Sequence, residues 1–351
     1  VKGHIVLAIG SYQKTLEIDP EHTEANFNIS NALENIVFSK PISSLQNIIT
    51  SILEAKSYVR PKDISRAAIS LLKFEPLVKE FLKGSFIGEG KQTIETLLLK
   101  LSEVPLLFKL MSVCPLADLE LEAVLTNVRS VLLLSIVETS DSPEILRFQS
   151  ALALQCFINE YVYNQSDKEV KALVALENLV EDTLLKGEQP TPNLILCLAA
   201  YKALHEYEWC DLITLNPIIE EVFTRQFLEP EQEKQLKSVM PILKDVKDSV
   251  SSKVRAQYEE NPYPRWVDLK LQLNTSPISE VIKEVKLKLF DRAINDVEAP
   301  EILIAGCGTG QHSIGTVSRF KNAKVLAVDL SLSSLAYAKR KTEELGLQNI
   351  D

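Results

Sequence analysis

Three glycines near the C-terminal end have the types and spacing of a ligand-binding turn. Gly306, Gly308 and Gly310 alternate with small residues directly after residues 301–305, an apolar run typical of a strand covered on both faces of a parallel sheet. Glycine permits positive φ angles and a close approach of a ligand to the backbone. The N-terminus of a following helix offers unpaired N–H groups. The sequence therefore predicts a turn that cradles a ligand at the carboxyl end of a strand.

An acidic residue follows at a second strand end. Residues 323–331, AKVLAVDLS, are predicted to form a strand that leads into Asp329, and a helix is predicted after each strand. A carboxylate at such a position can accept hydrogen bonds from both hydroxyls of a ribose. The two features form one βαβ unit and describe a site for a nucleoside-bearing cofactor. Residues 347–351 are predicted to begin a third strand.

The glycine spacing separates the possible cofactors. A dinucleotide fingerprint, G-x-G-x-x-G, would need a glycine where the chain has Gln311. The chain has G-x-G-x-G instead, which resembles the first motif of class I S-adenosylmethionine-dependent methyltransferases. The residues AVDLS at 327–331 resemble the acidic motif of their second strand. A nicotinamide-dependent dehydrogenase and a glycine-rich turn that binds another ligand are the alternatives.

The resemblance implies a partial Rossmann-like α/β domain, S-adenosylmethionine as cofactor and methyl transfer as the reaction. The glycines and Cys307 would line the methionine part of the cofactor, Asp329 would bind the ribose, and Leu330 would flank the adenine. Many family members have an acidic residue where this chain has Ile304, so other groups would have to contact the cofactor's amino group. No catalytic residue is assigned. The implied cofactor-binding residues are Ala305, Gly306, Cys307, Gly308, Gly310, Gln311, Asp329 and Leu330.

An aromatic segment with two prolines precedes the glycine motif. Pro262 and Pro264 favour an extended path within residues 251–275. We interpret this segment as a linker or as a lid over the cofactor, and we predict that Tyr258 contacts the cofactor. One alternative is a linker that packs Trp266 on the helical domain. Another is that NPYP, residues 261–264, corresponds to the Asn-Pro-Pro-aromatic acceptor loop of some amino-group methyltransferases. The other candidate lid residues are Asn261, Arg265 and Trp266.

The N-terminal residues resemble a tetratricopeptide repeat. The spacing of five residues corresponds to the second helix of such a repeat, and residues 23–33 resemble the first helix of the next one. The resemblance implies binding of a protein or peptide, whereas an amphipathic helix hairpin of another kind is the alternative. The five residues are Ala8, Tyr12, Thr15, Leu16 and Pro20.

The middle of the chain is predicted to be helical throughout, because apolar residues recur with helical periodicity and prolines stand where helices would begin. Glu160 lies in an apolar stretch, and we expect it to be a buried, hydrogen-bonded structural group. The stretch Gln-Cys-Phe-x-Asn-Glu-Tyr at 155–161 is similar to segments of bacterial proteins that join tetratricopeptide repeats to a methyltransferase domain.

The predicted fold class is therefore mainly α, followed by a partial class I methyltransferase domain. Since the chain starts at Val1 inside a repeat and a class I domain has about seven strands, we expect a truncated piece of a longer reading frame with weak or no turnover. The alternative function is a tetratricopeptide-type interaction scaffold with a non-catalytic nucleotide-binding-like domain. The predicted divisions are a partial repeat at 1–38, an all-helical domain at 39–250, a linker or lid at 251–275 and the methyltransferase part at 276–351.

Composition excludes several other classes of function. The net charge of −10 argues against a broad basic face for nucleic acid. Five scattered cysteines and four histidines form neither a disulfide framework nor a metal-ligand pattern. No apolar run is long enough to span a membrane and no signal peptide is visible. We therefore expect a cytoplasmic protein without a metal, and the resemblance of residues 155–161 to bacterial proteins implies a protein of bacterial type.

Overall fold

The computed structural model describes residues 2–55, 58–84, 91–243 and 248–351. It is mainly helical, with two strands near the C-terminal end. The chain divides into two compact units. The first comprises Val1–Leu228 and Trp266–Asp268, and the second comprises Glu229–Arg265 and Leu269–Asp351. Val1, on which the expected start inside a repeat depends, lies outside the described residues.

The first unit is helical, and its described residues form a large apolar core. Among the described residues of this unit, three short 3₁₀ helices lie between the α-helices: Ile136–Glu138, Leu204–Glu206 and Cys210–Leu212. A π-helical turn, Thr224–Leu228, directly follows the α-helix that ends at Phe223. The α-helices are α1 Lys2–Ile18, α2 Thr23–Leu33, α3 Ser43–Glu54, α4 Pro61–Leu72, α5 Pro76–Lys83, α6 Lys91–Leu101, α7 Pro105–Val113, α8 Leu119–Leu134, α9 Pro143–Ile158, α10 Asp167–Leu185, α11 Pro192–Ala199 and α12 Glu220–Phe223.

Prolines begin several of these helices, as the sequence predicted. Each one occupies the first turn, where its missing N–H removes no helical hydrogen bond. The helical interpretation of the middle of the chain is confirmed at these positions. They are Pro61, Pro76, Pro105, Pro143 and Pro192.

A helical hairpin stands at the start of the first unit. α1 packs against α2, and the hairpin contributes Ile9, Leu16 and Ile29 to the core. The helices predicted in this region are therefore present. Their assignment to a tetratricopeptide repeat stays a prediction, because a helical hairpin alone does not distinguish that repeat from other pairs of helices.

Glu169 is a buried acid of the first unit, whereas the expectation that Glu160 is buried was wrong. α9 ends at Ile158, and a positive φ of 59° at Glu160 turns the chain so that this side chain is exposed. Glu169 is 4% exposed, accepts a 2.7 Å hydrogen bond from the Tyr201 hydroxyl and forms a capping box with Ser166. The S-x-x-E pattern at 166–169 was the available sequence signal for this acid.

The second unit combines five α-helices, one 3₁₀ helix at Arg292–Asp296 and a two-stranded sheet within the described residues. It begins at Glu229, before the predicted boundary at 250. The predicted linker at 251–275 is partly helical, since its first ten residues belong to a helix, Ser249–Glu260. The side chain of Asp248 caps the start of this helix. The elements are α13 Glu229–Val239, α14 Ser249–Glu260, α15 Ile278–Glu284, β1 Glu301–Ala305, α16 Gln311–Arg319, β2 Lys324–Val328 and α17 Leu332–Glu344.

A buried arginine explains why α13 belongs to the second unit. Arg340 of α17 is 4% exposed, and its guanidinium lies 2.8 Å from Glu233 and 3.1 Å from Glu229, both in α13. Pairing with carboxylates compensates for the loss of hydration of a charge buried to this extent. Sequence patterns along α13 did not reveal this partnership with α17.

The sheet is parallel and its two faces differ. Ile304 and Val325 on one face are buried, whereas Leu303 and Leu326, paired in register on the other, are 64% and 52% exposed. The apolar run at 301–305 is typical of a strand covered on both faces, but one face of this two-stranded sheet exposes apolar side chains. On the edge of β2 that does not pair with β1, Val325 forms a parallel bridge with Ile350. This bridge confirms the predicted start of a third strand. No helix among the described residues has the length and hydropathy needed to cross a membrane.

Candidate functional site

β1 leads directly into the glycine bend, which we define as residues 306–310. Gly306, Gly308 and Gly310 have φ angles of 74°, 53° and 86°. A residue with a Cβ loses roughly 1–2 kcal/mol in this region of conformational space. The path of the backbone therefore demands glycine. Gly310 is the N-cap of α16, so the bend ends at a helix N-terminus, as predicted.

Hydrogen bonds hold the glycine bend against the end of β2. The amides of Gly306 and Cys307 both donate to the carbonyl oxygen of Val328, at 2.8 and 3.1 Å. The amide of Gly308 donates to Asp329 Oδ2 at 2.8 Å. The structure thus brings the two sequence motifs together, because adjacent parallel strands place their carboxyl ends side by side.

The carboxylate of Asp329 is oriented by a second amide. Ser331 N–H donates to Asp329 Oδ1 at 2.9 Å, so each carboxylate oxygen accepts one backbone hydrogen bond. A carboxylate oxygen can accept two hydrogen bonds. Each oxygen of Asp329 therefore has capacity for one donor from a ligand, and the two together match a pair of neighbouring hydroxyl groups.

The three glycines differ in what surrounds the missing side chain. A Cβ on Gly306 would meet no atom within 4 Å, and the nearest atom to a Cβ on Gly308 would be the Tyr263 carbonyl oxygen at 3.9 Å. A Cβ on Gly310 would lie 2.7 Å from Cβ of Ala338. Gly306 and Gly308 therefore leave room for a ligand, whereas Gly310 permits close packing of α16 on α17.

The groups at the bend are suited to binding rather than to covalent chemistry. Cys307 is buried, and burial together with the nearby Asp329 carboxylate raises the pKa of its thiol to about 11. The thiol is therefore protonated at neutral pH, and its contribution to a site would come from the backbone. Among the described residues, no group of three or more His, Cys, Asp or Glu side chains could hold a metal ion.

The other predicted contact residues flank the bend. Ala305 and Leu330 are exposed at the ends of the two strands, and Gln311 is half-buried at the start of α16. Tyr258 is exposed, and its carbonyl oxygen accepts a 2.9 Å hydrogen bond from the Ser331 hydroxyl. Tyr258 therefore lies near Asp329, although the contact that holds it there is a backbone contact.

An upstream segment, residues 258–264, reaches the same site, and we call it the clasp. One end is held by the Ser331–Tyr258 hydrogen bond, and at the other end the Thr309 hydroxyl donates to the Pro264 carbonyl at 2.8 Å. Of the other lid candidates, Asn261 is exposed, Arg265 is half-buried, and Trp266 is buried and grouped with the first unit. Sequence reasoning found the clasp but missed the hydroxyl groups that hold it.

Comparison with known proteins adds a family resemblance for the C-terminal part. Residues 302–351 match the family model described as "Methyltransferase domain". This match covers the glycine bend and Asp329, and it supports a class I methyltransferase. Searches of curated proteins and of solved structures gave no match. The helical first unit lies outside the matched residues.

Proposed function

We propose that this chain is an S-adenosylmethionine-dependent methyltransferase whose cofactor lies against the glycine bend and Asp329. The observation that carries the proposal is the 2.8 Å hydrogen bond between the Gly308 amide and Asp329. This hydrogen bond places a carboxylate that can accept the hydroxyl groups of a ribose beside Gly308, which has no side chain. The methyltransferase-domain match supports the same class of reaction.

The residues present fit this cofactor. The open space beside Gly306 and Gly308 can take the methionine part, and the two oxygens of Asp329 can accept the ribose hydroxyls. Ile304 provides no carboxylate for the cofactor's amino group. The Tyr263 carbonyl, which faces the Cβ position of Gly308 at 3.9 Å, is our candidate for that contact.

When bound, the cofactor would supply a methyl group on a positively charged sulfur for attack by the acceptor's nucleophile. The chain's own contribution is to bind and orient. Asp329 would fix the ribose, and the bend would fix the methionine part, so that the reacting groups meet in one geometry. Orientation of this kind accounts for a large share of the rate in many group transfers.

Isothermal titration calorimetry with S-adenosylhomocysteine, and separately with NAD, tests the proposal. We expect binding of S-adenosylhomocysteine but not of NAD. Asp329→Ala should weaken binding at least about tenfold, because hydrogen bonds to a charged group are lost. Asp296→Ala, at an exposed aspartate of the same unit, is the control. Binding of NAD would favour a dehydrogenase, and binding of neither compound would favour the scaffold.

We further propose that the acceptor is a protein or peptide, recruited in the cytoplasm through the helical unit. The hairpin of α1 and α2 supports this proposal, since paired helices of this kind form protein-binding surfaces in repeat proteins. Transfer of a labelled methyl group to a protein fraction is the test. Deletion of residues 2–33 should reduce transfer to protein while S-adenosylhomocysteine binding is retained.

A further inference from the structure

A glutamate of the clasp contacts the start of α17. Glu259 Oε1 accepts a 2.5 Å hydrogen bond from the Leu332 amide, and Glu259 Oε2 accepts one from the Ser333 hydroxyl at 2.8 Å. The same hydroxyl lies 3.0 Å from the Glu259 carbonyl oxygen. The first turn of a helix has unpaired N–H groups and favours a negative charge. Glu259 therefore caps α17 from outside that helix.

The carboxylate of Glu259 is kept ionised. Burial opposes its ionisation, but hydrogen bonds from Lys237, Ser333 and Leu332 outweigh burial and hold the pKa below its usual value. Lys237 pairs with Glu259 and also donates to the Ser333 hydroxyl at 2.8 Å. A side chain held by three partners has little freedom to turn away, so the clasp and the start of α17 are fixed to each other.

The contact continues into the proposed cofactor site. Leu332, held by Glu259, directly follows Ser331, whose amide donates to Asp329 Oδ1. Asp329 Oδ2 in turn accepts from Gly308. A short series of hydrogen bonds thus runs from the clasp through residues 331–332 to the carboxylate and on to the glycine bend.

We infer that Glu259 is a positioning residue for Asp329: by holding the turn at residues 329–333, it orients the Asp329 carboxylate for a ligand with neighbouring hydroxyl groups. The inference rests on the proposed function and names a residue that acts on the cofactor site without touching the cofactor. The carbonyl oxygens of Tyr258 and Pro264 accept hydrogen bonds from the hydroxyls of Ser331 and Thr309, respectively. The clasp therefore supports both the turn that follows Asp329 and the glycine bend.

The test compares Glu259→Gln with Glu260→Gln, a neighbouring exposed glutamate, by titration with S-adenosylhomocysteine. We expect Glu259→Gln to weaken binding about five- to tenfold, which is within the range for coupled residues in one network. Glu260→Gln should bind as the unmodified chain does. Equal affinity of the two variants would overturn the inference.

A double-mutant cycle separates positioning from general stabilisation. If Glu259 acts through Asp329, Glu259→Gln should change the affinity less than about twofold in an Asp329→Asn background. An equal loss of affinity from Glu259→Gln in the unmodified chain and in the Asp329→Asn variant would overturn the inference. Ser333→Ala keeps the carboxylate and removes one donor, and it should weaken binding about two- to threefold. It serves as the second variant if Glu259→Gln does not fold.

Hydrogen exchange distinguishes failure of this inference from failure of the proposed function. If the unmodified chain does not bind S-adenosylhomocysteine, the proposed function is overturned. The positioning relationship is then decided by amide exchange in residues 306–311 and 329–335. Faster exchange in Glu259→Gln than in Glu260→Gln supports it, and equal exchange in the two variants overturns it.

Discussion

Gly310, the N-cap of α16, and Ala338 of α17 approach so closely that a Cβ on Gly310 would lie 2.7 Å from that of Ala338. Gly310→Ala should therefore destabilise the second unit by about 2–4 kcal/mol, from the clash and from the φ angle of 86° together. Urea unfolding provides the measurement. Gly315→Ala is the control, because Gly315 lies within α16 and has open space at its Cβ position. This substitution should be neutral or slightly stabilising. Equal stability of the two variants would contradict the packing role of Gly310.

Gly306→Ala tests whether the open side of the bend receives the cofactor. The φ angle of 74° should cost about 1–2 kcal/mol of stability, and the new methyl group should weaken S-adenosylhomocysteine binding in calorimetry. Gly187→Ala has a similar φ of 78° and an equally open Cβ position in the first unit. It should show the stability cost without loss of binding. A loss of affinity with both substitutions would mean that backbone strain, and not occupancy of the site, is responsible.

The thiols should react slowly in the folded protein. All five cysteines are buried, and burial raises the pKa of Cys307 to about 11 and that of Cys156 to about 12. At pH 8 only about one thousandth of a thiol with a pKa of 11 is ionised, and the thiolate is the reactive form. Labelling with a thiol reagent should be slow until denaturant is added and should then reach five equivalents. Rapid labelling of one cysteine in the native state would contradict this account.

Glu259 should stabilise the second unit in a pH-dependent manner. Because its pKa is lower in the folded state than the usual value of 4.5, its contribution is fully present above that value and is lost as the pH falls through the folded-state pKa. The difference in free energy of unfolding between the unmodified chain and Glu259→Gln should therefore be constant near neutral pH and shrink below about pH 4.5. Chemical unfolding at a series of pH values checks this. A difference that grows with acidity would have the wrong sign.

Glu169→Gln should destabilise the helical unit by about 1–3 kcal/mol. The carboxylate is 4% exposed and accepts hydrogen bonds from the Tyr201 hydroxyl and from Ser166. In Glu169→Gln, the amide nitrogen that replaces one carboxylate oxygen would face a hydrogen-bond donor of Tyr201 or Ser166 and could not accept from it. Glu160→Gln, at an exposed position, should change stability by less than about 0.5 kcal/mol. Circular dichroism during urea unfolding measures both variants, and equal effects would contradict a structural role for Glu169.

Local patterns predicted the elements well and their partners poorly. Prolines and helical periodicity predicted the helical middle of the chain, and the apolar runs predicted both strands and the start of a third. The same patterns placed Glu160 in a buried helix, although α9 ends at Ile158. They also gave no indication that Glu229 and Glu233 of α13 pair with Arg340 of α17.

The sequence by itself determined the βαβ unit, the glycine bend and the position of Asp329. These features depend on backbone conformation and on the order of neighbouring strands, which short patterns encode. Only the tertiary structure decided that Gly310 serves packing, that the clasp bonds to Thr309 and Ser331, and that Glu259 caps α17. Such contacts join residues far apart in the chain, and the hydrogen-bonding capacity of a side chain does not reveal its partner until folding brings the two together.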